Sequence, residues 1–535
     1  MTKKPQTPLL VPPFTNLYNS PIPELWLAAL MRRPILGDTP IYDLSPLVYE
    51  MVGVVKNVSI KGQPRVTLQT RADGGPNGFS MQTWADEVRS QFAQCGIAVS
   101  QPEAFAAAIA DELLTRTESS SQKRSVKAAI PVTPITAVLQ NQTGVLGTAR
   151  ENDYGDAVER IYAIGRHLSG DPIDSGAGSR LQDALVARMA IDSRMRAVDA
   201  AQIAALSNAL GLPVADVQYD QLLGQVHFSG STASRGFEPL DHDQLSVVDK
   251  LGRLGGSTSF VWFYESWRKL TDPTWSRMVP HRRWIDWLVS VTRLAIGSSY
   301  LFREQWVIRA SRLVLDNSVS ELEIGAQLAS ECATQPLIQW VDRSQNSLAQ
   351  RDVFPEIRSI IRTGVSLRKL IADEPFKSVL DGEITVEKLL KVVRQDSQLS
   401  EELLKTYTSP RLDLRMKLVQ PVYNTVRDAL IDRTGTNDTT SGNSDDFYAL
   451  MQTHNNITVI DPSSEAVALL ATLACHEPNG TTNLGDVKRQ FQKVGLQPSQ
   501  TEVRYLLERA GLCRAEADAS LQVSVSSALR VETLL

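Results

Sequence analysis

The stretch "MVPHRRWIDWLVSVTRLAIGSSYLFREQW", from Met278 to Trp306, constrains this chain more than any other. Its apolar residues recur at intervals of three and four, the period of a helix that buries one side. Trp284, Trp287, Leu288, Val291, Leu294, Ala295, Ser298, Leu301 and Phe302 share one face, while Arg283, Asp286, Ser290, Arg293, Gly297 and Glu304 fall opposite. The spacing predicts a core stripe with a charged back. From Phe260 to Arg312 lie six of the nine tryptophans, with nine basic residues against four acidic ones for a local charge of +5. Interleaved basic and aromatic residues also serve single-stranded nucleic acids, but stacking needs exposed rings, and this spacing buries them. A membrane-surface helix is disfavoured because Asp286 and Glu304 sit on the polar face.

A chain of 535 residues exceeds what one hydrophobic core organises. The expected fold class is mainly α and multidomain. Residues 1–117 form a small α+β part: "PELWLAALMRR" reads as a helix, "MVGVVKNVSIKGQPRVTLQTRADGG" as a hairpin turning at Gly62-Gln63-Pro64, and "SMQTWADEVRSQFAQCG" and "PEAFAAAIADELLTRT" as further helices. Residues 118–150 read as a linker or extended segment, and 151–433 as the helical part with the tryptophan-rich core. Residues 434–446, "TGTNDTTSGNSDD", hold no large apolar side chain and read as a flexible linker before a last unit, 447–535.

Composition and motifs exclude more than they assign. The net charge of -5 gives no bulk attraction to polyanions. Cys95, Cys332, Cys475 and Cys513 are far apart and form no CxxC pair, which argues against a disulfide framework or a zinc ribbon and favours a reducing cytoplasm. Prolines break the apolar part of "MTKKPQTPLLVPPFTNLYNSPIPE", so it does not read as a secretion signal. Prolines and amides also break the charge-free run from Ala128 to Ala149, so no membrane partner is expected.

No GxxxxGK[ST], HExxH or GxSxG pattern occurs, and no catalytic residue, metal ligand or cofactor is assigned. Gly176 and Gly178 in "SGAGSRLQD" read as a helix-start loop without the third glycine of a dinucleotide site. His242 lies between Asp241 and Asp243, with Asp249 further on, and reads as a helix start with an acidic first turn. Asp381, Glu387 and Lys388 have the residue types of a nuclease set, but "VEKLLKVV" reads as a helix rather than the adjacent strands such a site needs.

The C-terminal unit is the most informative in order and spacing. "DPSSEAVALLATLACHE" starts a helix with Asp461 and Pro462 as cap and first turn, "NLGDVKRQFQKVGL" is a second helix, and "QPSQTEVRYLLERAGL" is a third that begins at Pro498 and Ser499. "CRAEADASLQVSVSS" alternates like a hairpin. This order resembles a winged helix-turn-helix over roughly a seventh of the chain. The resemblance implies that Val503, Leu506, Leu507 and Ala510 face the core and that Gln500, Thr501, Arg504, Glu508 and Arg509 point outward. With Lys488, Arg489 and Lys493 on the second helix, Gln500, Thr501, Arg504 and Arg509 are the candidate nucleic-acid contacts. Seven basic residues face nine acidic ones from Asp461 to Leu535, a net of -2 that opposes phosphate binding.

The expected function is a non-enzymatic interaction subunit, with other protein subunits as partners. Large helical chains with such a tail look similar to accessory subunits of prokaryotic DNA-processing or anti-phage assemblies. Two alternatives stand beside it: a nucleic-acid-binding protein acting through the C-terminal helices, with DNA as partner, and an enzyme without a linear motif.

Overall fold

The structure, a computed structural model, describes residues 7–11, 54–55, 69–70, 151–172, 174–197, 242–251, 258–344, 346–380, 384–410, 418–431, 449–454, 456–513 and 524–529, and positions 27, 30, 86, 89, 90, 93, 98, 100, 101, 200 and 240. The two expected linkers, 118–150 and 434–446, lie outside them. The described chain is mainly helical, with short strands in antiparallel pairs. In the N-terminal part, β1 (Val54–Val55) pairs with β2 (Gln69–Thr70), the antiparallel pairing that the hairpin pattern predicts.

Helices α1 (Glu151–Leu168), α2 (Gly176–Met189) and α3 (His242–Leu251) precede the tryptophan-rich region. That region forms α4 (Ser259–Thr271), α5 (Pro273–Met278) and α6 (His281–Leu315). Local chemistry sets these boundaries: the Thr258 hydroxyl accepts from Val261 N, Asp272 accepts from Thr274 N, and Pro273 fills the first position of α5. At 35 residues, α6 is about 52 Å long. It packs against α1 and α4 and also against α7 (Ile324–Thr334), α8 (Phe354–Ala372), α10 (Val386–Gln395), α11 (Ser397–Thr408) and α12 (Gln420–Leu430). The short α9 (Phe376–Val379) follows α8.

Surrounded in this way, α6 is solvated mainly near its ends, at Arg282, Arg283, Asp286 and Arg312. Trp284, Trp287 and Trp306 are buried as their spacing predicts, but so are Ser290, Arg293, Gly297 and Glu304 from the face expected to be charged and exposed. Glu304, at 0% exposure, is satisfied by two arginines: Arg368 of α8 donates from Nε at 2.9 Å and Nη2 at 2.8 Å, and Arg303 donates from Nε at 3.1 Å and Nη2 at 3.0 Å. Gly364 lets α8 come this close, since a Cβ there would lie 2.6 Å from the Glu304 Cβ. A buried carboxylate is tolerated only with such partners.

The indole N–H groups tie the core to distant segments. Trp284 donates to Leu270 O at 2.7 Å, Trp267 to Ala177 O at 2.9 Å, and Trp306 to Pro8 O at 3.1 Å. The last of these holds residues 7–11 against the helices. Leu9 N donates to Ile384 O at 3.0 Å, Val386 N donates to Thr7 O at 2.9 Å, and the Glu387 carboxylate accepts from Thr7 N.

The C-terminal elements are β3 (Met451–His454), β4 (Ile457–Ile460), α13 (Ser464–Ala474), β5 (Thr481–Asn483), α14 (Leu484–Lys493), α15 (Gln500–Arg509) and β6 (Ser524–Ser526). The cap of α13 is Ser463, two residues later than expected, because its hydroxyl accepts from Ala466 N. Strand β6 pairs with β5, which lies between the first two helices, and residues 514–523 of the expected hairpin lie outside the described residues.

Candidate functional site

The C-terminal helices carry the residues singled out for nucleic acid, and side-chain caps start each helix where the chain turns. Asn483 accepts from Asp486 N and Ser499 from Glu502 N. Between α14 and α15, Gly495 takes a φ of 93°, and its N–H and that of Leu496 bond back to Gln492 O and Phe491 O. Val503, Leu506 and Leu507 are buried, Ala510 is half-buried, and Gln500, Thr501, Glu508 and Arg509 face outward with a partly covered Arg504. The expected orientation of α15 holds at these positions.

Four of the five basic candidates have a carboxylate of the same chain beside them. Lys493 Nζ lies 2.5 Å from the Glu265 carboxylate of α4, Arg504 pairs with Glu508 at 2.8 Å, and Arg509 pairs with Asp461 at 2.7 Å. Arg489 pairs with Asp486. Lys488 is half-buried and makes no ion pair among the described residues. On the same surface, Arg343 stacks over the Tyr505 ring at 4.4 Å and pairs with Glu502 at 3.1 Å and Asp461 at 3.3 Å. In the second basic candidate, Arg282 to Arg312, the two end residues are exposed and paired with Asp286 and Glu331, while the middle of the stretch is covered. Arg293, Arg303 and Arg309 are buried, and Arg309 donates to the Glu331 and Pro336 carbonyls.

These helices are docked on the helical body rather than hung from it. Trp262 donates to the Gln490 amide oxygen at 2.9 Å, Ser298 to Val494 O at 2.9 Å, and Leu337 N to Gly495 O at 2.8 Å. Lys269 donates to Leu473 O at 2.7 Å and Cys475 O at 2.9 Å, covering the carbonyl end of α13. Trp340 meets Phe491 edge to face, with centroids 6.1 Å apart. The sequence expectation of a tethered module rested on the polar run 434–446 alone; the contacts that hold the module come from residues 262–343.

Where the two parts meet, an open cleft of about 670 Å3 is lined by Asp171, Tyr264, Arg268, Lys269, Trp275 and His476, among others. Tyr264 donates to Asp171 at 2.7 Å, Arg268 pairs with Asp171 at 2.7 Å, and Tyr162 behind them donates to Asp174 at 2.6 Å. Burial, reinforced by the hydrogen bond to Asp171, pushes the Tyr264 phenol up to about 12; burial and the adjacent Asp174 push Tyr162 up as well. Burial pushes the Lys269 ammonium down. Both tyrosines are held as phenols. Asp171 and Asp174 are not among the residues singled out from the sequence; the signal present was two aspartates around Pro172, between a helix end and a glycine-led helix start.

The motifs read as structural behave so. The Glu159 carboxylate accepts from Ala177 N at 2.9 Å and Gly178 N at 2.8 Å, placing an internal anion where a phosphate would sit. Asp249 pairs with His167 at 2.6 Å, fastening α3 to α1. Glu387 and Lys388 lie on helix α10, and Asp381 lies outside the described residues. Burial raises the Cys332 and Cys475 thiols to about 11, away from nucleophilic character. No group of three metal-binding side chains occurs among the described residues, and no described helix is long and apolar enough to cross a membrane. No family model matches the chain, and no curated protein matches it.

Proposed function

We propose that this protein is a non-enzymatic subunit that works by binding other proteins, with its C-terminal helices acting as a winged-helix-like docking element. One observation carries this: Arg489, Lys493, Arg504 and Arg509 are each paired with a carboxylate of the same chain. Phosphate contacts supply most of the affinity of a duplex binder, and those contacts need free cations. The order helix, strand, helix, helix, strand, with β5 paired to β6, supports the winged-helix reading. The kind of assembly follows from the sequence resemblance alone: an accessory subunit of a cytoplasmic, prokaryotic DNA-processing or anti-phage complex.

The test is recovery of the tagged protein from its native cells with and without nuclease, followed by mass spectrometry. Protein partners that survive nuclease support the docking role. Partners lost with nuclease overturn it in favour of direct nucleic-acid binding.

A further inference from the structure

Arg194, Arg196, Arg277 and Arg283 make no ion pair among the described residues, unlike the C-terminal arginines Arg489, Arg504 and Arg509. They gather at one corner of the fold, where the end of α2 meets the junction of α5 and α6. The buried Arg188 fixes that corner: it donates from Nη1 to Val279 O at 2.9 Å and lies over the Trp284 ring at 5.0 Å. Ile191 and Arg194 stand beside Arg188 on one side of this contact. Arg277, Met278 and Arg283 lie within four residues of Val279 on the other.

The corner is both positive and apolar. Residues 188–197 and 277–286 hold six arginines against two aspartates, a local charge of +4 on a chain whose net charge is -5. Both aspartates are committed: Asp192 accepts from Arg194 N at 2.9 Å and Met195 N at 3.3 Å, and Asp286 pairs with Arg282 at 3.0 Å. Among these cations Ile191 is 58% exposed and Met278 46%. Arginine and methionine beside an aliphatic side chain suit a protein partner, since arginine anchors interfaces and methionine adapts its shape. A phosphate backbone would engage the cations and leave Ile191 and Met278 in water.

We propose that this corner is a second docking surface, which takes an acidic, amphipathic segment of another protein. The carboxylates of that segment meet Arg194, Arg196, Arg277 and Arg283, and its apolar residues cover Ile191 and Met278. Charge complementarity sets the sign of the partner, and the exposed apolar pair selects protein over nucleic acid. The surface shares no residue with the C-terminal helices and stands independently of what docks there.

Fluorescence anisotropy of a labelled synthetic peptide, glutamates interrupted by leucine at helical spacing, titrated with the full chain tests it. Saturable binding with a Kd of about 100 µM or tighter is the expected result, weakening as salt is raised. Arg194→Glu combined with Arg277→Glu lowers that affinity by at least about tenfold. Ile191→Ser combined with Met278→Ser lowers it about fivefold. All four side chains are exposed, so both double variants keep the wild-type melting temperature. Absence of saturable binding overturns the proposal, as does binding that the arginine reversals leave intact. A loss on the arginine reversals with none on the serine pair also overturns it, and tighter binding of a short DNA duplex through the same arginines overturns it in favour of nucleic acid.

Discussion

Trp262 and Gln490, 228 residues apart, share a 2.9 Å hydrogen bond from the indole N–H to the amide oxygen, with the indole buried in the helical body and the amide on the second C-terminal helix. Removing one partner leaves the other without its match at a covered interface, so Gln490→Ala and Trp262→Phe each cost about 1–3 kcal/mol. The double variant costs less than the sum of the two. Urea unfolding followed by tryptophan fluorescence measures this, and full additivity removes the contact from the account.

Gly495 makes the same junction sensitive to one methyl group. Its φ of 93° is strained for any L side chain, and a Cβ there would lie 2.4 Å from Leu337 Cδ1. Gly495→Ala is expected to lower stability by about 1–3 kcal/mol, read as a fall in melting temperature.

Trp284→Ala and Trp287→Ala each destabilise the fold by about 3–5 kcal/mol, as truncations of fully buried rings do. Wild-type stability in both variants, measured by chemical denaturation, contradicts the central position of α6.

Glu304→Gln removes the charge shared by Arg368 and by Arg303, which is 3% exposed. The expected loss is about 3–5 kcal/mol. Glu304→Gln combined with Arg303→Met is expected to recover part of it, and a denaturation series over the three proteins checks the order.

His281 gives the acid limb of stability a definite sign. Burial first, and the Arg188 charge second, lower its pKa from 6.5 to about 4, with Asp192 acting the other way. Between those values the unfolded chain binds the proton and the folded one does not. Its contribution is therefore complete above pH 6.5 and declines as the pH falls toward 4. Urea midpoints at pH 7 and pH 5 should differ less in His281→Phe than in the wild type; an equal difference rejects the assignment.

The core was legible in the sequence because tryptophan and leucine spacing on one helix is local information. The full burial of α6 was not: what makes Glu304 tolerable is Arg368, 64 residues later, and Gly364 beside it. Periodicity within a helix carries no trace of such a partner. The C-terminal helices were legible through Ser499 and the spacing of Val503, Leu506 and Leu507, whereas Asp461 gave way to Ser463 as a cap because two candidates stood two residues apart. The pairs Arg489–Asp486 and Arg504–Glu508 have helix spacing and are readable locally, whereas those of Lys493 with Glu265, across 228 positions, and of Arg509 with Asp461 are not. Strand β5, three residues of Thr and Asn, is too short and polar for a pattern to find.

The pairing of residues 7–11 with residues 384–387 also dictates an order of events during synthesis. Thr7, Pro8 and Leu9 leave the ribosome hundreds of residues before Ile384 and Val386, their backbone partners, exist. Until then Leu9 and Val11, both buried in the finished protein, have no place to go. The helical body therefore closes late, and the nascent chain carries an apolar segment that a chaperone has time to meet.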